Sequence, residues 1–540
     1  MVVSASSIRD MGKNDLLHNV DSDGSLASID DSVNTGVYTV RRSRLIGMVN
    51  WWHVAMTFYP HVLATLLCYL ASQITFDMMT IGPSVPVEIA LEVFRGLPPA
   101  LLDMSWRSTL LGLCLVWYLA RHHQPVYLVD FVTFEPPESW RLTHKQLMTC
   151  MRRQRCFTEE SISFLKRILE KSGTGQRTAW PPGITQCLKN ESKTADQSVE
   201  AARKESGTVI CDVVQRCLQR TRTLPTEVDI LIVNCSLFSP TPSLCAMIMN
   251  HFKMRGNVMA YNLSGMGCSA SLIGIELAQN VLGSHPNMIA LVVSTENLTQ
   301  NLYHGNERSM LLQNTLFRCG GAAMLLSNKW RDGRRAKFKL LHVVRTQGTG
   351  DEAYDAVYEC QDAHGEHGVK LDRNIVNIAG RTMEKNFTIL GPYVLPLSEQ
   401  IRVLYALAKK KLCRYLCRAF HLHREVSSAP SKSLSNWIPM KIPAYVPDFK
   451  RGIDYWCIHA GGRAVVDGVA NNLKLQPGHA EPSKYALYNY GNTSSSSIWY
   501  EMDYVCKIQK PKKGHRVLQV AFGSGFKCNS AVWLCLKALH

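Results

Sequence analysis

The strongest constraint on this chain is a set of predominantly apolar runs, each about as long as a buried strand. Asp229–Cys235 reads DILIVNC and Met288–Thr295 reads MIALVVST, and Asn257–Leu263, Ala322–Leu326 and Phe338–Val344 are runs of the same kind. A strand with one wet face alternates apolar and polar residues. A run that is apolar throughout is covered on both faces, which calls for helices above and below the sheet. Ser269–Leu282, between two of the runs, patterns as such a helix. The same grammar returns near the C-terminus, where Tyr455–Ile458, Tyr485–Tyr490, Val517–Phe522 and Ala531–Leu536 read as further strands. From about Tyr127 onward the expectation is therefore an α/β fold. Two elbows resemble each other: Tyr261–Ser271 and Tyr488–Ser497 each read as a strand, a glycine-containing turn and a run of small residues. They look like corresponding places in two similar halves.

What precedes Tyr127 has a different character. Residues 1–40 are rich in Ser, Asp, Asn and Gly, the composition of a disordered tail. After Arg41, Arg42 and Arg44, the stretch Leu45–Ala71 runs 27 residues without Asp, Glu, Lys or Arg. That exceeds the ~20 apolar residues a membrane span needs. A second apolar run, Ser108–Ala120, is short, and extending it to Leu101 admits Asp103 and Arg107. It reads either as an interfacial or buried helix or as the second leg of a hairpin, with helices about 45–71 and 101–120. Basic residues flank the pair on both outer sides, Arg41–Arg44 before and Arg121 after, while Asp77, Glu88, Glu92 and Asp103 lie between, against Arg95. By the positive-inside rule this expects a membrane hairpin over 41–125, with the rest of the chain on the cytosolic side.

Charge and cysteine usage agree with that side. Sixty Lys and Arg against forty-three Asp and Glu leave a net charge of +17 in 540 residues, which favours an anionic partner. No nucleic-acid recognition motif is present, and the basic residues lie beside the membrane-like segments. The eighteen cysteines form no CxxC pair, so they read as reduced core residues of a cytosol-facing domain rather than as a zinc ribbon or redox site. Val403–Val426 interleaves Lys409, Lys410, Lys411, Arg414 and Arg418 with Leu412, Tyr415, Leu416 and Phe420. It reads either as a solvated basic helix or as a helix lying on an anionic membrane. Ser427–Pro439 reads as a loop.

One cysteine stands apart. Cys268 sits in Ser264–Ser271, SGMGCSAS, between a strand and a helix. Flanking glycines allow a sharp turn, and a helix N-terminus offers free N–H groups and partial positive charge. The expectation is a nucleophilic thiol of lowered pKa whose N–H neighbours hold an oxyanion. Two further residues fit as its partners: His459, ending a strand before Ala460-Gly461-Gly462-Arg463, and Asn492, in Tyr490-Gly491-Asn492-Thr493-Ser494. Both can donate to a carbonyl oxygen, and neutral His also accepts a proton. The Gly523-Ser524-Gly525 loop after a strand either binds an anion or simply turns.

Taken together, VNCSLFSPTPSL (Val233–Leu244), NLSGMGCSAS (Asn262–Ser271), Ser294–Asn328, LGPYVLPLSEQ (Leu390–Gln400), CIHAGGRAVVDGV (Cys457–Val469), YGNTSSSSIWYEM (Tyr490–Met502) and FGSGFKCNSAVW (Phe522–Trp533) resemble the plant-type 3-ketoacyl-CoA synthases, the condensing enzymes of very-long-chain fatty acid elongation. The resemblance runs from about Tyr127 to the C-terminus. It implies a thiolase-like fold of two similar βαβαβ halves, here 126–375 and 376–540. It also implies a Cys-His-Asn triad at Cys268, His459 and Asn492, with Gly523, Ser524 and Gly525 contributing to the oxyanion hole. The implied reaction is decarboxylative condensation of a long-chain acyl-CoA with malonyl-CoA, with no metal and no cofactor. The implied setting is a homodimer on the endoplasmic reticulum membrane, facing the cytosol beside the ketoreductase, dehydratase and enoyl reductase of elongation. Two positions depart from the family pattern. Gln347 stands where members carry a histidine, and Ala521 where glycine is commoner. The competing readings are a type III polyketide synthase-like enzyme and a non-catalytic membrane adaptor that binds acyl-CoA.

Overall fold

The computed structural model describes residues 62–73, 75, 76, 79, 110–115, 125–426 and 445–539. All belong to one compact unit, Met48–His540. The tail at 1–40, most of the expected hairpin and the loop Ser427–Pro439 lie outside the described residues. Among the described residues, no helix is long and apolar enough to cross a membrane.

The apolar runs form one nine-stranded sheet. In chain order its strands are β1 (Tyr127–Thr133), β2 (Ile230–Asn234), β3 (Met259–Leu263), β4 (Ile289–Thr295), β5 (Gly321–Ser327), β6 (Phe338–Gln347), β7 (Tyr455–Ile458), β8 (Arg516–Gly523) and β9 (Lys527–Cys535). Across the sheet the order is β7-β8-β9-β6-β1-β5-β4-β2-β3. The doubling is visible in that order. β2-β4-β5-β1 on one side matches β7-β8-β9-β6 on the other, each a parallel pair followed by two antiparallel neighbours. β6 and β1 join the two four-strand sets antiparallel through Leu128 and Phe338, so β6, although it lies within 126–375, groups with the strands of the second half.

Three helical layers cover this sheet, as runs apolar on both faces require. Helix α1 (Val199–Thr221) buries Val209, Ile210, Val213 and Val214 against Leu231, Val233, Leu291 and Val293. The alternate residues of the same strands, Ile230, Ile232, Ala290 and Val292, meet a middle layer made of α2 (Ala270–Ser284) and, from the second half, a helix at Ser497–Tyr504. That layer also buries Val517, Ala521, Ala531 and Trp533 of β8 and β9. Beyond the second half, α3 (Ile375–Val394) covers Leu518, Val520 and Val532. Both middle-layer helices begin at an elbow, one at Cys268 and one just after Asn492, so the shared layer is what draws the elbows together.

One strand expectation fails. Tyr485–Tyr490 is not a strand. It is the last part of a helix, Pro477–Tyr490, in which Ala480, Ser483 and Leu487 are buried at helical spacing while Tyr485 and Tyr488 are exposed. Proline at the first helical position favours this start. The two elbows do correspond in space, but the first follows a strand and the second a helix. α4 (Leu397–Val426) is longer than the basic segment read at 403–426.

Candidate active site

Gly265 and Gly267 both adopt φ of +65°, which turns the chain from β3 through a short 3-10 turn into α2. A side chain at Gly267 would place its first carbon 2.5 Å from the Ser524 nitrogen, and one at Gly523 would meet Ser269 Oγ at 2.4 Å and the Met266 carbonyl at 2.6 Å. The Gly523–Gly525 loop therefore lies directly on the cysteine elbow, and both glycines are required by close approach rather than by the turn alone. Lys527 Nζ holds the loop through the Ser524 carbonyl at 2.7 Å. Gly525 lies at its outer edge near Gln347 Nε2, so the substituted family position borders this loop.

The second elbow reaches the sulfur. Ser494 Oγ lies 3.6 Å from Cys268 Sγ and 3.1 Å from Glu296 Oε2. Ser494 has φ +56°, a conformation costly for a side-chain-bearing residue, and Asn492 Oδ1 holds it by accepting the Ser494 N–H at 2.8 Å. Asn492 Nδ2 points to the Gly461 carbonyl at 3.4 Å, and the Gly461 N–H donates to the His459 carbonyl at 2.7 Å. Cys268, Asn492 and His459 thus stand along one run of contacts, with the Gly523–Gly525 loop on its other side.

Two buried carboxyl groups, Glu296 and Glu501, brace this run, and a third, Glu205, is buried nearby. Glu296 accepts N–H bonds from Ser236 and Leu237, and Ser236 Oγ accepts from Gly267 N at 2.9 Å. Glu501 accepts from Ala460 N at 3.1 Å and from Ser483 Oγ at 2.7 Å, while Ser483 Oγ accepts from Ile458 N. Both residues flanking His459 are fixed in this way. Glu205 caps the loop after β4 through Leu298 N and Thr299 N. Burial raises the pKa of all three, which favours neutral carboxyls. Sequence reasoning singled out none of them. The available signal was an acid immediately after an all-apolar strand, Glu296 following Ile289–Thr295.

The side chain of Arg318 is also buried. Its Nε donates to Thr178 Oγ1 at 2.6 Å, its guanidinium stacks on Trp180 at 4.8 Å, and its backbone N–H donates to the Asn492 carbonyl at 2.8 Å. The Asn492 N–H in turn donates to the Leu316 carbonyl, so the segment 316–318 clamps Asn492 from both sides of its peptide. Behind Glu296 a narrow cavity is lined by Trp180, Ile184, Leu237, Leu298, Leu302 and Phe317. Glu296, Asn297, Asn301, Gln313 and Asn314 also line it, and its accessible volume of about 20 Å³ suits a single water.

The electrostatics correct the expected thiolate. Burial pushes the Cys268 thiol up to about 12; the Ser494 hydroxyl lowers it and the nearby Glu296 carboxyl raises it. Desolvation outweighs the hydrogen bonds that Ser494 and the Cys268 backbone offer the sulfur. Burial lowers His459 to about 4, so its ring is neutral at physiological pH, and its buried Nδ1 has no hydrogen-bond partner among the described residues. The resting site is a neutral thiol and a neutral imidazole.

Comparison with known proteins follows the same lines. Residues 118–412 match the family described as FAE1/Type III polyketide synthase-like protein, and residues 418–536 match the chalcone and stilbene synthase C-terminal domain. 3-Ketoacyl-CoA synthase 9 of Arabidopsis thaliana is 45% identical over 421 residues, covering 78% of this chain and 76% of the relative. 3-Ketoacyl-CoA synthase 5 of the same plant is 42% identical over 478 residues, covering 88% and 90%.

The chain belongs to the plant-type 3-ketoacyl-CoA synthase family.

It is thus a condensing acyltransferase. Solved structures carry the same fold. A fungal type III polyketide synthase, ORAS, aligns with a TM-score of 0.56 at 16% identity, covering 76% of this synthase and 99% of that chain. 1,3,6,8-Tetrahydroxynaphthalene synthase from Streptomyces coelicolor aligns at 0.54 and 17%, covering 76% and 100%. The thiolase-like architecture inferred from the family resemblance therefore stands.

Proposed function

We propose that this synthase extends a long-chain acyl-CoA by two carbons through an acyl-Cys268 intermediate. The observation that carries the proposal is the run Cys268–Ser494–Asn492–Gly461–His459, which gathers residues from both halves at one point.

With a neutral thiol at rest, the sulfur loses its proton as it attacks the thioester carbonyl. His459 accepts that proton, the S–C bond to the acyl group forms, and the bond to CoA breaks. His459 then returns the proton to the departing thiolate, releasing CoA. Malonyl-CoA next loses CO2, and the electron pair of the broken C–C bond becomes an enolate. Asn492 Nδ2 and neutral His459 donate to its oxygen. The enolate carbon attacks the acyl carbonyl and the Cys268 thiolate leaves. Taking up one proton restores the thiol, and 3-ketoacyl-CoA departs. The N–H of Cys268 and an N–H from the Gly523–Gly525 loop form the oxyanion hole for the acyl group. Decarboxylation drives the step, so the chemistry calls for neither metal nor redox cofactor.

The setting belongs to the same proposal. A hairpin over 41–125 holds the enzyme on the endoplasmic reticulum membrane with the catalytic domain in the cytosol. It works there as a homodimer beside the ketoreductase, dehydratase and enoyl reductase of elongation. Microsomes expressing the chain, given a panel of acyl-CoAs and labelled malonyl-CoA, test the reaction. A single two-carbon extension supports it. Repeated ketide additions favour the polyketide reading, and binding without turnover favours an adaptor.

A further inference from the structure

α4 carries a continuous apolar stripe that the catalytic domain leaves uncovered. Leu397, Ile401, Leu404, Tyr405, Leu412 and Tyr415 are each more than half exposed. Their spacing of three, four and seven residues places them on one side of a helix with 3.6 residues per turn, with Ala408 between them. Lys409 and Lys411, both exposed, lie on either border of the stripe, where a long side chain can reach outward past an apolar surface. The first turn is fixed to the domain. The buried Glu399 carboxylate accepts from Tyr445 Oη at 2.7 Å and Asp448 N at 3.3 Å, and pairs with Arg402 and Arg451. Gln400 Nε2 donates to the Leu395 carbonyl at 2.8 Å. The helix therefore leaves the domain at a defined place.

We infer that α4 lies in the surface of an anionic phospholipid bilayer, its stripe among the acyl chains and its lysines among the headgroups. Charge selects this occupant. Leu397–Val426 holds seven Lys and Arg against two Asp and Glu, and one of those two, Glu399, is already neutralised by its arginines. A second copy of a chain with net charge +17 would oppose this face with like charge. A bilayer with anionic headgroups offers apolar depth and negative charge together, the pairing that interfacial helices exploit. Tyr405 and Tyr415 suit the boundary between the two zones. The contact would orient the catalytic domain on the membrane independently of any spanning segment, and it stands apart from the condensing chemistry.

The test uses the full chain on vesicles of phosphatidylcholine with and without phosphatidylserine. Benzoylphenylalanine is placed at Tyr405 or Leu412 on the stripe, or at Ala406 on the other side of the helix. After irradiation, lipid adducts are expected at 405 and 412 and not at 406, with more adduct when phosphatidylserine is present. The double variant K409E/K411E should lower adduct yield at 405 on the order of tenfold. Its turnover of a soluble acyl-CoA in detergent, equal to that of the unaltered chain, checks that it folds. Adducts to protein at 405 and 412, equal lipid adducts at all three positions, or no lipid adducts at any of them would overturn the inference.

Discussion

Ser494 Oγ lies 3.6 Å from Cys268 Sγ while also lying 3.1 Å from the buried Glu296 carboxyl. A hydroxyl has one proton to give. When Glu296 is protonated, as its burial favours, the carboxyl can donate to Ser494 and leave the hydroxyl proton for sulfur. Ser494→Ala removes this donor. A hydrogen bond to a developing charge is worth ~1.5–3 kcal/mol, so acyl transfer to Cys268 should slow by about ten- to a hundredfold. Alkylation of Cys268 by iodoacetamide, followed against pH, should show its rise displaced to higher pH in the variant. An unchanged profile removes Ser494 from this role.

His459 gives a stability prediction with a definite sign. Its folded-state pKa is depressed from 6.5 to about 4 by burial. Between those values the unfolded chain takes up a proton that the folded site excludes. The contribution is complete above pH 6.5 and is lost as pH falls through about 4, a total on the order of 3 kcal/mol. Melting temperature measured across this window should fall less steeply for His459→Gln than for the unaltered chain. Parallel curves would show that His459 is not held neutral.

The seat of the Gly523 loop on the cysteine elbow is testable by one methyl group. In Gly523→Ala the added carbon would lie 2.4 Å from Ser269 Oγ and 2.6 Å from the Met266 carbonyl, so loop and elbow must separate. A loss of about 1–3 kcal/mol in stability is expected, with condensation reduced more than tenfold. Gly256→Ala, where a side chain meets nothing within 4 Å, is the control and should change neither. Urea unfolding and turnover on the two variants decide the point.

Asn492→Asp separates the half-reactions. A carboxylate at Nδ2 repels an enolate, so decarboxylation of malonyl-CoA should be lost while Cys268 still accepts an acyl group. Carbon dioxide release and acyl trapping, measured on the same preparation, check the two arms. Normal release by the variant assigns enolate stabilisation elsewhere.

The sequence made the sheet readable because burial on both faces leaves its mark residue by residue, as in Asp229–Cys235 and Met288–Thr295. Tyr485–Tyr490 misled for the opposite reason. Six residues of mixed aromatic and small type carry no decisive period, and only the burial of Ala480, Ser483 and Leu487 shows the helix. Cys268, His459 and Asn492 were found because glycine and small residues crowd around them. Glu296, Glu501 and Arg318 carry no such signature, since their importance comes from partners 59 or more residues away for Glu296, 18 to 41 for Glu501 and 140 for the Arg318–Thr178 bond. The thiol was misjudged because helix position is visible in sequence and desolvation is not.

The account turns on a covalent acyl group at Cys268. The direct measurement is to incubate the full chain with a labelled long-chain acyl-CoA, locate the label by mass spectrometry of peptides, and then add malonyl-CoA. The label should reside on the peptide containing Cys268 and discharge as a 3-ketoacyl-CoA two carbons longer, and Cys268→Ala should neither hold label nor form product. Label absent from that peptide, or product formed by Cys268→Ala at the unaltered rate, would contradict it.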